Sequence, residues 1–363
     1  MDARATDLAL APLGAGDLID RAVRLYRRHF LTLIRIAAPP VVISAAGSTL
    51  TTITFRAIGA TPSSARLMLY LLVAFGGGIV IAAGSLFSLI VMGGATRNLV
   101  AHLLWDEPVS FRATYRAVRS RFWGLLGASI LVAIWLGFCG WLSFIAFYLV
   151  FALLVLVGVA IGQVMPGFVI AVVSVLGSIV ALVLALILFF LLAGRMAYVP
   201  QAMLVEGRTV GSAIGRSFSL ASGNVRRLMA MTLFAFFATY SALALLIIPL
   251  GWYGWANGVD VSPFGTEWPA WYSIGYEVIL QCSHILLAPI WMLGLSLLYV
   301  DERVRHEGYD IELMAARQLP EMPELPGVMS PFAPALVTRR TRTFVPPAPP
   351  PAPMPPASVL GLR

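Results

Sequence analysis

The sequence predicts an all-α fold: a polytopic integral-membrane helical bundle of about six to seven transmembrane helices. Three observations carry this. Hydrophobic residues make up 59% of the chain, charged residues only 12%, and the mean hydropathy is +0.87. A soluble domain needs about a quarter charged residues to cover its surface. Several apolar runs also reach the roughly 20 residues that a helix needs to cross a bilayer core. Finally, these runs end in a repeated junction. Residues 198–207 read YVPQAMLVEG and 299–308 read YVDERVRHEG, with a weaker copy, NLVAHLLWDEP, at Asn98 to Pro108. Each run is preceded by an arginine-bearing stretch, in turn DLIDRAVRLYRRHF, SFRATYRAVRSRFW and TVGSAIGRSFSL. Three pseudo-repeats are therefore expected, at about residues 14–108, 109–208 and 209–308.

Residues 1–13 carry acids and no clean apolar core, so they read as a loose tail and not as a signal peptide. From Asp17 to Phe30, Leu18, Ala22, Leu25, Tyr26 and Phe30 share one helical face, with Arg21, Arg24, Arg27 and Arg28 around the remainder. Such a helix is expected to lie in the headgroup plane with its guanidinium groups on phosphate. The first span follows at about 30–55 and contains Pro39 and Pro40, whose freed carbonyls need neighbouring helices or hydroxyls. The second, at about 67–94, is rich in glycine, which allows close backbone approach.

The polar segment 97–121 opens the second module. Ser110 is its expected N-cap; Phe111, Tyr115, Val118 and Phe122 form an apolar face, and Arg112, Arg116 and Arg119 lie on another. The apolar stretch 122–197 has room for spans at 122–142, 143–163 and 168–194. Three crossings would put the next arginine-rich segment, with Arg195, Arg208, Arg216, Arg226 and Arg227, on the opposite side from the earlier ones. The positive-inside tendency favours an even number instead, with 143–163 re-entrant, interfacial or merged into a tilted helix. The third module holds spans at about 228–250 and 271–300, joined by an aromatic loop without arginine that belongs outside the cytoplasm. Arginine-rich segments then share the cytoplasmic side, so the repeats run parallel and both termini are cytoplasmic. Beyond residue 312 the chain reads as a proline-rich, disordered cytoplasmic tail at 313–363.

All 25 basic residues are arginine, and the net charge is +8. They flank apolar spans and do not form one soluble patch, which points to anionic membrane lipid, or a protein partner, and away from nucleic acid. Headgroup or partner contact is expected at Arg21, Arg24, Arg28, Arg112, Arg116, Arg119, Arg216, Arg226 and Arg227. Cys139 and Cys282 fall inside apolar spans without metal-type spacing, and His29, His102 and His306 form no ligand motif, so no metal or cofactor is expected. Within the spans Glu277 is the lone carboxylate, followed by Gln281 and His284 at i+4 and i+7 on one face. Two readings stand for it: a hydrogen-bonded clamp between helices, or a polar site of a transporter or lipid-handling protein. No nucleophile–base set stands out, so no enzymatic activity is expected.

DLIDRAVRLYRRHF before the first span and LLYVDERVRHEGYDIE after the last resemble the glycerophosphoryl diester phosphodiesterase membrane-domain family. The resemblance covers roughly residues 14–312. It implies an all-helical prokaryotic membrane unit associated with membrane lipid metabolism. In some members this region is fused to a soluble catalytic barrel. These 363 residues contain no such barrel sequence, so the resemblance does not bring phosphodiesterase activity with it.

Overall fold

The computed structural model describes residues 14–59, 63–105, 107–161, 167–261 and 268–307. The N-terminal tail, the proline-rich tail and residues 262–267 of the aromatic loop lie outside the described residues. Among those described, every regular element is helical: α1 (Ala15–Arg28), α2 (Phe30–Gly59), α3 (Ser64–Trp105), α4 (Phe111–Ser120), α5 (Phe122–Ile161), α6 (Gly167–Ala193), α7 (Val199–Val205), α8 (Val210–Leu220), α9 (Val225–Ala256) and α10 (Ala270–Glu307). Six stretches, in α2, α3, α5, α6 continuing into α7, α9 and α10, are long and apolar enough to cross a membrane. The chain is a multi-pass, all-α membrane protein.

The long helices form three antiparallel hairpins: α2–α3, α5–α6 and α9–α10. At one end, here called the junction end, the short helices α1, α4, α7 and α8 pack among the ends of the long ones. The buried core sits there. Leu18 and Ala22 of α1 meet Leu33 and Ile36 of α2, Val91 to Val100 of α3, Leu228 of α9 and Leu293 to Val304 of α10. A second cluster joins Ile90, Val118, Leu125, Ala128, Val132, Val199, Met203 and Ala213.

This placement explains the length of the central apolar run. α5 has 40 residues. At 1.5 Å rise per residue that is about 60 Å, twice a bilayer core. One face of its first dozen residues, with Leu125, Ala128, Ser129 and Val132, is buried in the junction-end core, and Trp135 Nε1 donates to the carbonyl of Leu192 at 3.0 Å, near the end of α6. Separate spans at 122–142 and 143–163 do not form; they merge into one helix, so the stretch 122–197 holds two long apolar helices, α5 and α6. Residues 143–161 contain neither proline nor a polar cluster to break the helix.

Glycine brings α2 and α3 together. A Cβ added at Gly47 would lie 2.7 Å from the carbonyl oxygen of Gly77, and one at Gly84 would lie 2.9 Å from that of Pro40. Without a hydrophobic effect between helices in lipid, such backbone proximity and its dispersion contacts supply the attraction. Gly207, at φ 71°, stops α7 in the left-handed conformation that glycine adopts without strain, and Arg121 Nη1 donates to its carbonyl at 2.7 Å.

α2 continues through Pro39 and Pro40, and α10 through Pro289. A proline at position i leaves the carbonyl at i−4 without its helical donor. For Pro40 that carbonyl belongs to Ile36, and Tyr115 of α4 donates its hydroxyl to it at 3.0 Å. For Pro289 it is that of Ile285; the next carbonyl, Leu286, accepts the Tyr26 hydroxyl of α1 at 2.6 Å.

Candidate functional site

Two polar constellations stand out. One lies at the junction end and the other between the spans.

At the junction end, the residues that mark the repeated motif converge. Tyr198 and Tyr299 are fully buried with ring centroids 5.9 Å apart, and Leu99 of the weaker copy lies in the same core. Glu206, 4% exposed, receives hydrogen bonds from Arg208 Nε at 2.6 Å, Arg216 Nε at 3.0 Å and the Tyr299 hydroxyl at 2.7 Å. Arg303, 0% exposed, stands 3.7 Å away. Burial alone would raise this carboxyl's pKa. Arg303, Arg208, Tyr299 and Arg216 outweigh it and hold Glu206 below the ordinary value. A second knot joins Arg227 to Asp301 and, at 2.6 Å, to Glu302; Arg305 reaches Asp301 at 2.9 Å. Asn224 donates to the Tyr198 hydroxyl. The network spans segments a hundred residues apart and ties α7, α8, α9 and α10 together.

These partners correct the reading of the arginines. Arg216 and Arg227 are engaged by internal carboxylates, and Arg21 is buried at 8% exposure, so these three do not present free headgroup-facing guanidinium groups. The reason is local neutralisation: buried carboxylates need cations beside them. Arg24 and Arg28 on α1, Arg112, Arg116 and Arg119 on α4, and Arg226 on α9 are exposed. On α4 the buried face is Thr114 and Val118. Phe111 and Phe122, which share the apolar face with Tyr115 and Val118 in the sequence, are exposed, as is Trp123 at 80%. Ser110 occupies the N-cap position, but its hydroxyl makes no cap hydrogen bond; its carbonyl accepts from Asn98 Nδ2 at 2.7 Å.

Between the spans, Glu277 of α10 meets Ser48 of α2. Ser48 Oγ and Gln281 Nε2 each donate to Glu277 Oε1 at 2.8 Å, and Gln281 Nε2 also lies 3.1 Å from Ser48 Oγ. His284, one turn on, is not part of this triplet. Ser48 is a partner that sequence reasoning missed, since it stands 229 residues away. Towards the far end of the bundle, Arg56 of α2 donates to Ser273 of α10 and lies over the Trp268 ring. Deeper, Thr96 and Ser296 are 2.7 Å apart between α3 and α10.

A small cavity of about 10 Å³, enough for one water, lies at the junction end among Leu25, His29, Leu33, Met292 and Ser296, and does not include Glu277. His29 and His102 meet edge to face at 5.1 Å. Burial, followed by His102 and Arg28, lowers the His29 pKa. His102 Nδ1 is 2.7 Å from the carbonyl of Glu107. Among the described residues no three metal-ligating side chains gather. The burial of Tyr26 and Tyr115 raises both phenol pKa values, that of Tyr115 to about 12, so each remains a hydrogen-bond donor at neutral pH.

No family model matches this chain, and neither the curated proteins nor the solved structures contain a match to it.

Proposed function

We propose that this chain is a non-enzymatic scaffold or accessory subunit of the bacterial cytoplasmic membrane, engaging anionic headgroups or a partner protein through its arginine-bearing amphipathic helices. It is built from three parallel pseudo-repeats with both termini cytoplasmic. The observation that carries the lipid reading is the surface of α4. Arg112, Arg116 and Arg119 are exposed opposite buried Thr114 and Val118, and are flanked by exposed Phe111, Phe122 and Trp123. Guanidinium groups suit phosphate through their planar fork, and aromatic rings suit the headgroup–acyl boundary. The junction resemblance to the phosphodiesterase membrane-domain family fits a role near membrane lipid.

The transporter reading of Glu277, Gln281 and His284 finds less support. Glu277 Oε1 already accepts from Ser48 and Gln281, and the water-sized cavity among Leu25, His29, Leu33, Met292 and Ser296 does not include Glu277.

Native mass spectrometry of the full chain from mild detergent tests the lipid reading. Each arginine near an anionic surface contributes about 1 kcal/mol. The triple variant Arg112→Gln, Arg116→Gln, Arg119→Gln should therefore retain anionic phospholipid roughly a hundredfold more weakly, with zwitterionic lipid unchanged. Equal retention of anionic lipid by variant and wild type removes the lipid reading.

A further inference from the structure

We propose that α1 and α4 are straps. Through the Tyr26 and Tyr115 hydroxyls they hold two proline-interrupted spans, α10 and α2, in the geometry that closes the Ser48–Glu277–Gln281 clamp. Tyr115 supplies the donor that Pro40 withholds from the Ile36 carbonyl, and Tyr26 donates beside the carbonyl that Pro289 leaves free. The two arrangements mirror each other. Ser48 lies eight residues beyond Pro40 on α2, and Gln281 eight residues before Pro289 on α10. At 1.5 Å per residue each proline is about 12 Å from the clamp. Both straps carry exposed arginines, Arg24 and Arg28 on α1 and Arg112, Arg116 and Arg119 on α4. Each therefore has an outer face open to the surroundings and an inner face wired to a span's backbone.

A proline in a span is a place where two helix segments can change their mutual angle. With the Tyr115 phenol bonded, the carbonyl freed by Pro40 has a partner and the local arrangement is fixed; with α4 lifted, it is unpaired and the segments on either side gain freedom, while Tyr26 adds a second bond to the Leu286 carbonyl, one residue past the one that Pro289 frees. α2 and α10 are neighbours joined by Glu277, so a shift at either proline acts on the same three side chains. Resting on the lipid reading of the previous section, the straps are closed when anionic headgroups hold their arginines.

Hydrogen exchange by mass spectrometry on the full chain in nanodiscs tests this, following peptides that cover 37–50 and 278–292. Loss of one hydrogen bond corresponds to a rate change of about two- to tenfold. Tyr115→Phe should speed exchange in the 37–50 peptide by that factor, and Tyr26→Phe should do so in 278–292. In a Pro40→Ala background the helix regains its own donor to Ile36, so Tyr115→Phe should become silent; a mere packing role for the ring would persist there. Wild type should exchange more slowly in phosphatidylglycerol than in phosphatidylcholine nanodiscs. Unchanged exchange in both tyrosine variants, or a Tyr115→Phe effect that survives Pro40→Ala, overturns the strap. A tyrosine effect without a lipid difference keeps the strap and removes the headgroup reading alone.

Discussion

Glu206→Gln offers a sharp perturbation of the junction-end network. The substitution keeps the side-chain shape and removes one charge. It leaves Arg303, which is 0% exposed, beside a neutral amide, and removes the Glu206 carboxylate that Arg216 engages at 3.0 Å. Breaking a buried pair by removing one partner costs about 3–5 kcal/mol, because the remaining charge is uncompensated. Arg208→Gln is the matched control. Its ion pair with Glu206, at 2.6 Å, is shorter than the 3.7 Å of Arg303, yet Arg208 is 38% exposed, and exposed pairs contribute about 0–1 kcal/mol. Distance ranks Arg208 first; burial reverses the order. Thermal unfolding of the purified chain in detergent, followed by intrinsic fluorescence, should show Glu206→Gln lowered by on the order of 10 °C and Arg208→Gln by about 2 °C or less. The same assay has a pH signature. A carboxyl whose folded pKa is depressed contributes stability above its unfolded value, and that contribution fades as pH falls through the folded value. The gap between wild type and Glu206→Gln should therefore be full above the ordinary carboxylate value of 4.5 and shrink on acidification below it. Equal melting temperatures for the two variants would refute the account of a charge-balanced core.

The remaining predictions concern the spans. Gly84→Leu places a Cβ 2.6 Å from the Ser44 amide nitrogen and 2.9 Å from the Pro40 oxygen, both backbone atoms, and should destabilise by about 3 kcal/mol or more in the same assay. Gly76→Ala meets nothing within 4 Å and sits in mid-helix, so it should be neutral or stabilising by up to about 1 kcal/mol. Ser48→Ala and Glu277→Gln should each cost about 0.5–1.5 kcal/mol, as interhelical hydrogen bonds in membranes do, and the double variant should cost less than their sum.

Much of the helix plan was legible in the sequence because bilayer thickness, proline and arginine all leave local marks. α5 ends at Ile161 and α6 begins at Gly167, and in the sequence Gly162 and Pro166 interrupt the apolar run between them. Whether 143–163 was re-entrant, interfacial or merged with the preceding span stayed open in the sequence because one apolar run served two environments. Leu125, Ala128 and Val132 are buried against protein at the junction end, and most large side chains further along α5 are exposed, yet both environments demand the same residue types.

The candidate sites were less legible. Glu277 and Gln281 share a helix face and were found together, but nothing near residue 48 signals that its serine faces them across the bundle. The partners of Glu206 come from four separate segments, and only the Glu-Gly ending of the repeated motif marked the position at all. Pro39 and Pro40 announced an unpaired carbonyl; that a phenol from α4 would answer it required the packing of α4 on α2. The arginines were sorted wrongly in part because Arg216 and Arg227 look, in sequence, like Arg112 and Arg226. Whether a buried carboxylate stands opposite is a tertiary fact.

The central claim is that each module crosses the membrane twice and returns to one shared junction end. Reporter fusions in a bacterial membrane test it directly, with alkaline phosphatase and green fluorescent protein joined after residue 163 and after residue 208. The 163 junction should be active as a phosphatase outside the cytoplasm, and the 208 junction should be fluorescent inside it. A 208 junction found outside would contradict the two-crossing modules, and with them the parallel arrangement of the three repeats.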